Sequence, residues 1–461
     1  MHDVVVFNAV IAGEPNVLPV GPLSVVSALE AAGFDVGFRD YQTWRFDGPR
    51  LAPESFLRFL TEVDAPVMAI SAMSGNLPTV LGAVRELKRR EPDRIVVLGG
   101  PGPSDTPVEI LESFPVDFIV RGEGEETAVE LMRAMRAGED PAGVLGLAYR
   151  SNGEIRLTPD RPRITDLDSL PAPAYHKVDF EDYSGGLHVM TSRGCPYGCK
   201  FCSTRSIWGK TVTYRSIPSV VREIESVRDR ITWICFADDN LALRAGRVVE
   251  LCRMLKEFGT RIPWMTYGRI NLTTEEMLRE MADSGCEEVF FGIESGSDRV
   301  LEELGKGFKI GQTREVLAMA AKYVQQVNTS YIWGYPFETI DDLCDTVLAI
   351  GENERMDGVT PHFYLLGPFV KTPLFERYSG SLRFDPEFIP NVGSVPVRER
   401  ISDHPALLES VRDHPRICAP YYHYDHPELP EKRRIIDALR ARNPGVSRKP
   451  VGPPARAQSR R

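Results

Sequence analysis

The sequence predicts an α/β protein with an N-terminal doubly wound parallel sheet, a partial (β/α)6 barrel and a small C-terminal segment. Short β-branched runs alternate with helical patterns, are interrupted by a turn-rich stretch, and then resume. In both halves, polar or glycine-rich segments follow the carboxyl ends of the strands, where enzymes of this class hold their ligands. The expected parts are a first domain (1–140), a linker (141–187), the barrel (188–375), a C-terminal segment (376–442) and a disordered basic tail (443–461).

Length and composition indicate a globular protein with more than one domain. The chain has 461 residues, of which 42% are hydrophobic and 26% charged. We find no apolar run long enough to span a bilayer and no signal peptide at the N-terminus, so we expect a cytoplasmic protein without a membrane partner. The formal net charge of -10 argues against a general nucleic-acid binder.

Five short apolar runs are expected to form the parallel strands of the first sheet. A helix opens at Gly21 and runs through Leu29, and a second helix covers 77–90. The β-branched content and short length of the runs are typical of buried parallel strands. The expected strands are 3–8, 34–38, 67–71, 95–98 and 117–120.

Small, glycine-rich loops follow three of these strands. Ligands of open parallel sheets bind beyond the carboxyl ends of the strands, and glycine lets a large flat ligand and its phosphate tail approach the backbone. The alternative is that these glycines only turn the chain. The candidate cofactor-binding residues of this edge are Ser71, Ser74, Gly99, Gly100, Gly122 and Glu123.

Three cysteines crowd into one loop of the second half. Cys195, Cys199 and Cys202 have C-x3-C-x2-C spacing, and thiolates are the ligands of iron–sulfur clusters. A four-iron cluster held by three cysteines leaves one iron open to another ligand. A zinc site usually has a second cysteine or histidine pair, and none follows here. The absence of a secretory signal argues against disulfides. We predict that these cysteines are both the metal ligands and the catalytic centre.

The cysteine loop resembles the cluster loop of the radical S-adenosylmethionine (SAM) superfamily. This resemblance implies a [4Fe–4S] cluster whose open iron is chelated by the amino and carboxylate groups of SAM. It also implies reductive cleavage of SAM to a 5′-deoxyadenosyl radical that abstracts hydrogen from a small-molecule substrate. The electron would come from an external donor of the flavodoxin or ferredoxin type.

Six strand–helix units are expected in the barrel, with strands at 189–191, 231–236, 264–267, 288–292, 329–333 and 362–366. Residues 291–295 resemble the family segment that contacts the ribose and methionine parts of SAM, and residues 334–339 resemble the segment on the adenine side. The structural alternatives are ion pairs for Glu294 and Arg269 at the barrel mouth, and capping of the next helix by Asp238 and Asp239. The cofactor-binding residues inferred here are Tyr197, Phe201, Asp239, Arg269, Glu294, Ser295, Gly334 and Pro336.

The first domain is similar to the cobalamin (B12)-binding domain that precedes one large class of radical SAM proteins. The similarity lies in the helix after 18–21 and in the stretches 98–101 and 121–125. It implies cobalamin as a cofactor. No Asp-x-His-x-x-Gly motif is present, which argues against a histidine ligand to cobalt and leaves open a vestigial domain.

The C-terminal segment is rich in proline, histidine and tyrosine. His423, Asp425 and His426 could form a metal site, but packing or substrate contact is favoured, and we expect the segment to cover the open side of the barrel. We expect the remaining cysteines to be packing residues. They are Cys235, Cys252, Cys286, Cys344 and Cys418.

Three functions are compatible with this layout. The first is cobalamin-dependent methylation of an unactivated carbon in a small molecule of the natural-product type. The second is radical dehydration, deoxygenation or rearrangement of a sugar or aminoglycoside-type diol on the same scaffold. The third is a non-catalytic cobalamin or redox sensor, which the open iron and the set of residues at the barrel mouth disfavour.

Overall fold

The computed structural model describes residues 2–11, 16–259, 261–390 and 399–442, so the tail predicted at 443–461 lies outside the described residues. The chain forms two compact units. The first contains Met1–Asp182 and Phe384–Tyr422, and the second contains Tyr183–Arg383 with the described residues from His423 onward.

A seven-stranded sheet forms the centre of the first unit, with strand order β2-β1-β3-β4-β5-β6-β7. The first five strands are parallel, and the last two form an antiparallel hairpin at the edge. The strands are β1 (Val4–Asn8), β2 (Val36–Asp40), β3 (Val67–Ser71), β4 (Ile95–Gly99), β5 (Phe118–Val120), β6 (Leu147–Ser151) and β7 (Glu154–Leu157). The helices between them are α1 (Val20–Ala31), α2 (Pro53–Thr61), α3 (Leu77–Arg90), α4 (Pro101–Asp105), α5 (Pro107–Ser113) and α6 (Gly124–Ala137).

This sheet confirms the predicted parallel fold of the first half. Strand β1 is buried along its whole length and pairs with β2 on one side and β3 on the other, as its β-branched composition indicates. Helix α1 packs with α6, and α2 packs with α3. The sequence-based prediction lacks α2, although Pro53 in its first turn and the buried Phe56 and Phe59 form an amphipathic pattern.

The second unit contains six parallel strands in the order β15-β14-β13-β12-β11-β8. The sheet is open, which confirms the predicted partial barrel. Its strands are β8 (Gly186–Val189), β11 (Trp233–Phe236), β12 (Trp264–Gly268), β13 (Cys286–Glu294), β14 (Gln326–Trp333) and β15 (Val359–Leu365), and a separate two-stranded ribbon consists of β9 (Ser192–Arg193) and β10 (Thr213–Tyr214). Its helices are α7 (Thr204–Trp208), α8 (Ile217–Val227), α9 (Ala245–Glu257), α10 (Glu275–Asp283), α11 (Asp298–Leu304), α12 (Ile310–Tyr323), α13 (Ile340–Glu354) and α14 (Pro373–Tyr378).

The two faces of this second sheet differ in polarity. Val289 and Phe291 of β13, together with Met277 and Met281 of α10, line a small apolar cavity on one face. Alternate residues of a strand point to opposite faces, so Glu288 and its counterparts on neighbouring strands lie on the other face. That polar face carries His188, Cys235, Tyr267, Glu288, Asn328 and His362.

The chain beyond β15 contributes to both units. Strand β16 (Leu382–Arg383) pairs antiparallel with β17 (His423–Tyr424) in the second unit. Helix α15 (Pro405–Asp413) packs on α3 in the first unit, and α16 (Leu429–Arg442) closes the described part of the second unit. No helix in the described ranges combines the length and hydropathy needed to cross a bilayer.

The scattered cysteines largely follow the prediction. Cys235, Cys252, Cys286 and Cys418 are buried, which confirms them as packing residues. The prediction is wrong for Cys344, which is exposed because it lies on the outer side of α13.

Candidate active site

The cysteine loop begins where the chain leaves β8, and Asp238 fixes this point. Asp238 is the second residue after β11, and its carboxylate accepts hydrogen bonds from Thr191 N (3.0 Å), Thr191 Oγ1 (2.9 Å) and the Ser192 hydroxyl. Burial raises the pKa of Asp238, and these donors oppose that shift. Arg247 of α9 donates to Thr191 O at 3.0 Å. The entrance to the loop is therefore held by two neighbouring strands and a helix.

Asp239 holds the two ends of the loop together. Its Oδ2 accepts from Gly194 N at 2.9 Å, just before Cys195, and its Oδ1 accepts from Thr204 Oγ1 at 3.0 Å, just after Cys202. The proposed capping role is wrong, since the N-cap residue of α9 is Arg244. The cofactor contact inferred for Asp239 stays a prediction.

The loop brings the three thiols into one environment. Burial raises the pKa of Cys195, and the nearby Cys199 and Cys202 raise it further. Burial likewise raises the pKa of Cys202, whose backbone N–H donates to Cys199 O at 3.2 Å. Among the described residues, no three His, Cys, Asp or Glu side chains are arranged to share a single metal ion. The chemistry of this donor set fits a cubane, in which each thiolate binds a different iron.

Arg269 lies against the loop. Its guanidinium carbon is 3.8 Å from the centroid of the Tyr197 ring, and its Nη1 donates to Cys199 Sγ at 3.6 Å. The same side chain donates to Asn271 Oδ1 at 3.0 Å and to Lys306 O. A guanidinium in this place stabilises negative charge on the sulfur and stacks on the aromatic ring. Its predicted contact with the SAM carboxylate is not tested by these distances.

Glu294 ends β13 in a conformation that is unusual for a residue with a side chain. Its φ is +80°, in the left-handed region. Lys306 Nζ lies 3.1 Å from Oε1 and also donates to Gly292 O at 2.8 Å, while Ser330 donates to Oε2 at 3.3 Å. Outliers of this kind cluster at functional sites, where the surrounding structure maintains them. Glu294 therefore forms an ion pair, which is the alternative to SAM binding, and this pair belongs to a polar network at the end of β13.

Ser295 has a different environment from Glu294. Its hydroxyl lies 3.1 Å from Thr346 Oγ1, accepts from Ser297 N at 3.1 Å, and is fully buried. The side chain therefore stabilises the turn between β13 and α11, and its inferred contact with SAM stays a prediction.

The segment after β14 packs beside the loop. Gly334 has φ +87° and donates its N–H to Glu338 Oε2 at 3.0 Å, and Pro336 is buried in the same turn. The rings of Tyr335 and Phe201 lie 6.3 Å apart in an edge arrangement. Burial raises the pKa of Glu338 to about 7, although Lys432 opposes the shift.

Several residues of this site were missed by the sequence analysis. Glu288 Oε1 accepts from Asn328 Nδ2 at 2.7 Å, and Asn328 Oδ1 lies 2.9 Å from His362 Nε2. Burial raises the pKa of Glu288 to about 7 and lowers that of His188 to about 4. Polar residues at every second position of buried strands are the sequence signal that could have identified Glu288, Asn328 and His362. Lys306 and Lys432 carry no local signal, because their partners are remote in sequence.

In the first unit, the loops after β3 and β4 approach each other closely. Ser71 pairs with Asn8 and Gly99 of the neighbouring strands, and Ser74 begins the short helical turn before α3. Gly100 has φ +92°, and a Cβ there would lie 2.9 Å from Ala72 O. A Cβ on Gly102 would lie 2.8 Å from Ser74 N. These two glycines let the loops after β3 and β4 pack directly against each other. We call this arrangement the glycine-dependent cradle, and its inferred contact with a ligand stays a prediction.

The third loop of this edge follows β5. Gly122 has φ +74°, and its N–H donates to Ser104 Oγ at 3.3 Å. Glu123 Oε2 accepts from Ile164 N at 2.9 Å and from Arg163 Nε at 3.2 Å. This carboxylate stabilises the segment after β7, and its inferred ligand contact stays a prediction.

Comparison with known proteins agrees with both halves of this description. Residues 9–132 match the B12 binding domain, and residues 189–350 match the radical SAM superfamily. The chain is 32% identical over 327 residues to an uncharacterised methyltransferase of Pyrococcus horikoshii, covering 69% of this chain and 70% of that protein. It is 28% identical over 370 residues to the cytidylyl-2-hydroxyethylphosphonate methyltransferase of Streptomyces wedmorensis, covering 69% of each.

Solved structures show the same fold. The radical SAM methyltransferase TsrM of Kitasatospora setae, with cobalamin and a [4Fe–4S] cluster bound, superposes with a TM-score of 0.73 at 21% identity, covering 98% of this chain and 94% of that chain. The cobalamin-dependent radical enzyme OxsB superposes with a TM-score of 0.68 at 17% identity, covering 96% and 67%.

The chain belongs to the radical SAM superfamily, in the group of enzymes with an N-terminal B12-binding domain that includes methyltransferases. It is an enzyme, and the predicted cofactors are confirmed at the level of these two domains: a [4Fe–4S] cluster, SAM and cobalamin.

Proposed function

We propose that this enzyme methylates an unactivated carbon of a small molecule, using SAM, a [4Fe–4S] cluster and cobalamin. One observation carries the proposal: the same chain contains a three-cysteine loop and a glycine-dependent cradle. The two curated relatives described above are named methyltransferases. When bound, the cluster supplies the electron for SAM cleavage and cobalamin supplies a carrier for the methyl group.

The protein side of the chemistry lies in the second unit. Cys195, Cys199 and Cys202 are the proposed cluster ligands, and Asp239 and Arg269 hold the loop and its charge in place. Glu294 is the proposed partner of the SAM ribose hydroxyls, because a carboxylate accepts from both. Lys306 and Ser330 orient this carboxylate through an ion pair and a hydrogen bond.

The polar face of the second sheet is the proposed substrate region. Tyr267, Phe290, His362 and Tyr364 form an aromatic wall with neighbouring ring centroids 5.7–6.2 Å apart. Glu288 and Asn328 place hydrogen-bonding groups beside it. Aromatic side chains beside a few fixed polar groups are typical of small-molecule sites. The proposed partners are this substrate and an external electron donor.

A second candidate is radical chemistry without methyl transfer, such as the dehydration or deoxygenation of a diol. One related protein favours this second candidate. The anaerobic magnesium-protoporphyrin IX monomethyl ester cyclase of Synechocystis is 28% identical over 337 residues, covering 70% of this chain, and is not named a methyltransferase. The same scaffold therefore carries more than one reaction.

The product formed from SAM separates the two candidates. We would reconstitute the full chain without oxygen, with cobalamin, add SAM and a chemical reductant, and quantify S-adenosylhomocysteine and 5′-deoxyadenosine. Methyl transfer predicts that both products form and that both disappear in Cys199→Ala. Formation of 5′-deoxyadenosine alone, in protein that retains cobalamin, would contradict methyl transfer and support the second candidate.

A further inference from the structure

An ion pair is completely buried at the C-terminal end of the second unit. Lys432 Nζ of α16 lies 3.4 Å from Glu338 Oε2, and neither side chain is exposed to solvent (0% each). Lys432 also donates to the backbone carbonyl of Glu338. Removing both charges from water is costly, so a pair of this kind is weak evidence for stability. What the pair does contribute is a fixed position for the backbone and side-chain groups that bind to it.

The pair fixes the turn after β14. Glu338 Oε2, the oxygen nearest Lys432, also accepts from Gly334 N at 3.0 Å, and Glu338 N donates to Tyr335 O at 3.1 Å. One carboxylate oxygen thus connects the first and last residues of the turn to α16. Gly334 allows the turn to be tight, because glycine adopts its φ of +87° without steric strain.

Helix α16 holds the same region at a second point. Glu428, which directly precedes the helix, accepts from Ile340 N at 2.8 Å through Oε2. Ile340 is the first residue of α13. One C-terminal element therefore holds both the last residue of the turn and the start of α13, while Arg299 of α11 donates to Phe337 O at 2.8 Å from another direction.

The turn Gly334–Glu338 contacts the cysteine loop through a buried apolar cluster. Tyr335 is fully buried in a cluster with Val300, Leu304, Leu366, Leu374 and Tyr424. Phe201, which lies between Cys199 and Cys202, packs against this cluster with its ring 6.3 Å from that of Tyr335. A continuous set of contacts thus leads from Lys432 through Glu338 and Tyr335 to Phe201.

We propose that Lys432 is a positioning residue for SAM binding: through Glu338 it sets the turn Gly334–Glu338, and this turn sets the cysteine loop at Phe201. Helix α16 lies beyond residue 350, where the match to the radical SAM superfamily ends. The inference rests on the assignment of SAM and the cluster, and is independent of whether the enzyme transfers a methyl group.

The test compares three variants of the full chain, reconstituted without oxygen. Lys432→Met removes the cation, and Lys432→Met/Glu338→Gln removes both charges so that no lone buried carboxylate destabilises the fold. Arg434→Met is the matched control, because Arg434 lies on the same helix with its side chain 75% exposed. Each variant is measured for iron per chain, for SAM affinity by equilibrium dialysis, and for the change that SAM causes in the electron paramagnetic resonance spectrum of the reduced cluster.

We expect both Lys432 variants to retain the iron content of the wild type and to bind SAM about 10- to 100-fold more weakly, as is typical when a residue that orients a site is lost. The spectral change on adding SAM should weaken in parallel, while Arg434→Met behaves as the wild type. Unchanged SAM affinity in the cluster-loaded double variant would overturn the proposal. Loss of iron together with SAM binding would also overturn it, since Lys432 would then be needed to hold the cluster and not specifically to position SAM.

Discussion

Asp239 Oδ2 accepts a hydrogen bond from the backbone N–H of Gly194 at 2.9 Å, while the other oxygen of the same carboxylate accepts from Thr204 at 3.0 Å. Gly194 directly precedes the first cysteine of the loop, and Thr204 follows the last one by two positions. The carboxylate therefore closes the loop on itself from the segment after β11, 35 residues further along the chain than Thr204.

Asp239→Asn should make the cluster easier to remove. The amide keeps the size of the side chain but loses the charge that strengthens both hydrogen bonds, which are worth about 1–2 kcal/mol. We expect iron to be lost to a chelator roughly tenfold faster than from the wild type. The exposed Asp229→Asn serves as the control, and equal rates in all three proteins would show that Asp239 does not stabilise the loop.

Glu294→Gln should weaken SAM binding without removing the cluster. A hydrogen bond to a charged group is worth about 1.5–3 kcal/mol, so we expect roughly a 10- to 100-fold rise in the dissociation constant of SAM. Iron content reports on the cluster, and equilibrium dialysis reports on SAM. Glu302→Gln, on the exposed side of α11, should leave both unchanged. Normal SAM affinity in Glu294→Gln would remove Glu294 from the proposed site.

Gly100→Ala should affect cobalamin and leave the cluster intact. The new Cβ would lie 2.9 Å from Ala72 O at a backbone φ of +92°, so the loop must move, at a cost of about 1–3 kcal/mol. We expect weaker retention of cobalamin, read from the visible spectrum after gel filtration, with unchanged iron. Gly138→Ala is the control, because it also has positive φ but no neighbour within 4 Å. Equal loss of cobalamin in both variants would mean that backbone strain, rather than this cradle, is responsible.

Glu288→Gln should change the pH dependence of stability. Burial raises the pKa of Glu288 from 4.5 to about 7, so the folded state keeps a proton that the unfolded state releases between these values. The free energy of unfolding of the wild type therefore falls as pH rises from 4.5 to 7, and the penalty persists above 7.

The glutamine variant lacks this penalty and still accepts from Asn328. We expect it to be more stable than the wild type by roughly 2–3 kcal/mol at pH 8 and nearly equal at pH 5. Denaturant unfolding at the two pH values measures the difference. A stability difference that is the same at both pH values would show that Glu288 titrates normally in the folded protein.

Local patterns predicted much of this protein. The alternation of apolar runs with helical segments predicted both parallel sheets, and the helix Leu77–Arg90 has the bounds that its sequence indicates. The spacing of the three cysteines predicted a cluster loop. These features depend on residues close together in the chain, whose backbone preferences and side-chain periodicity are fixed before any long-range contact forms.

The sequence by itself determined the class of fold, the three-cysteine loop and the glycine-rich strand ends, because each is a short-range signal. Only the tertiary structure decided that Asp239 closes the loop, that Lys306 pairs with Glu294, and that Lys432 reaches Glu338 from 94 residues away. Such pairs depend on strand order and on how helices return to the sheet. A charged side chain looks alike in sequence whether it faces solvent or a buried partner, and packing makes the difference.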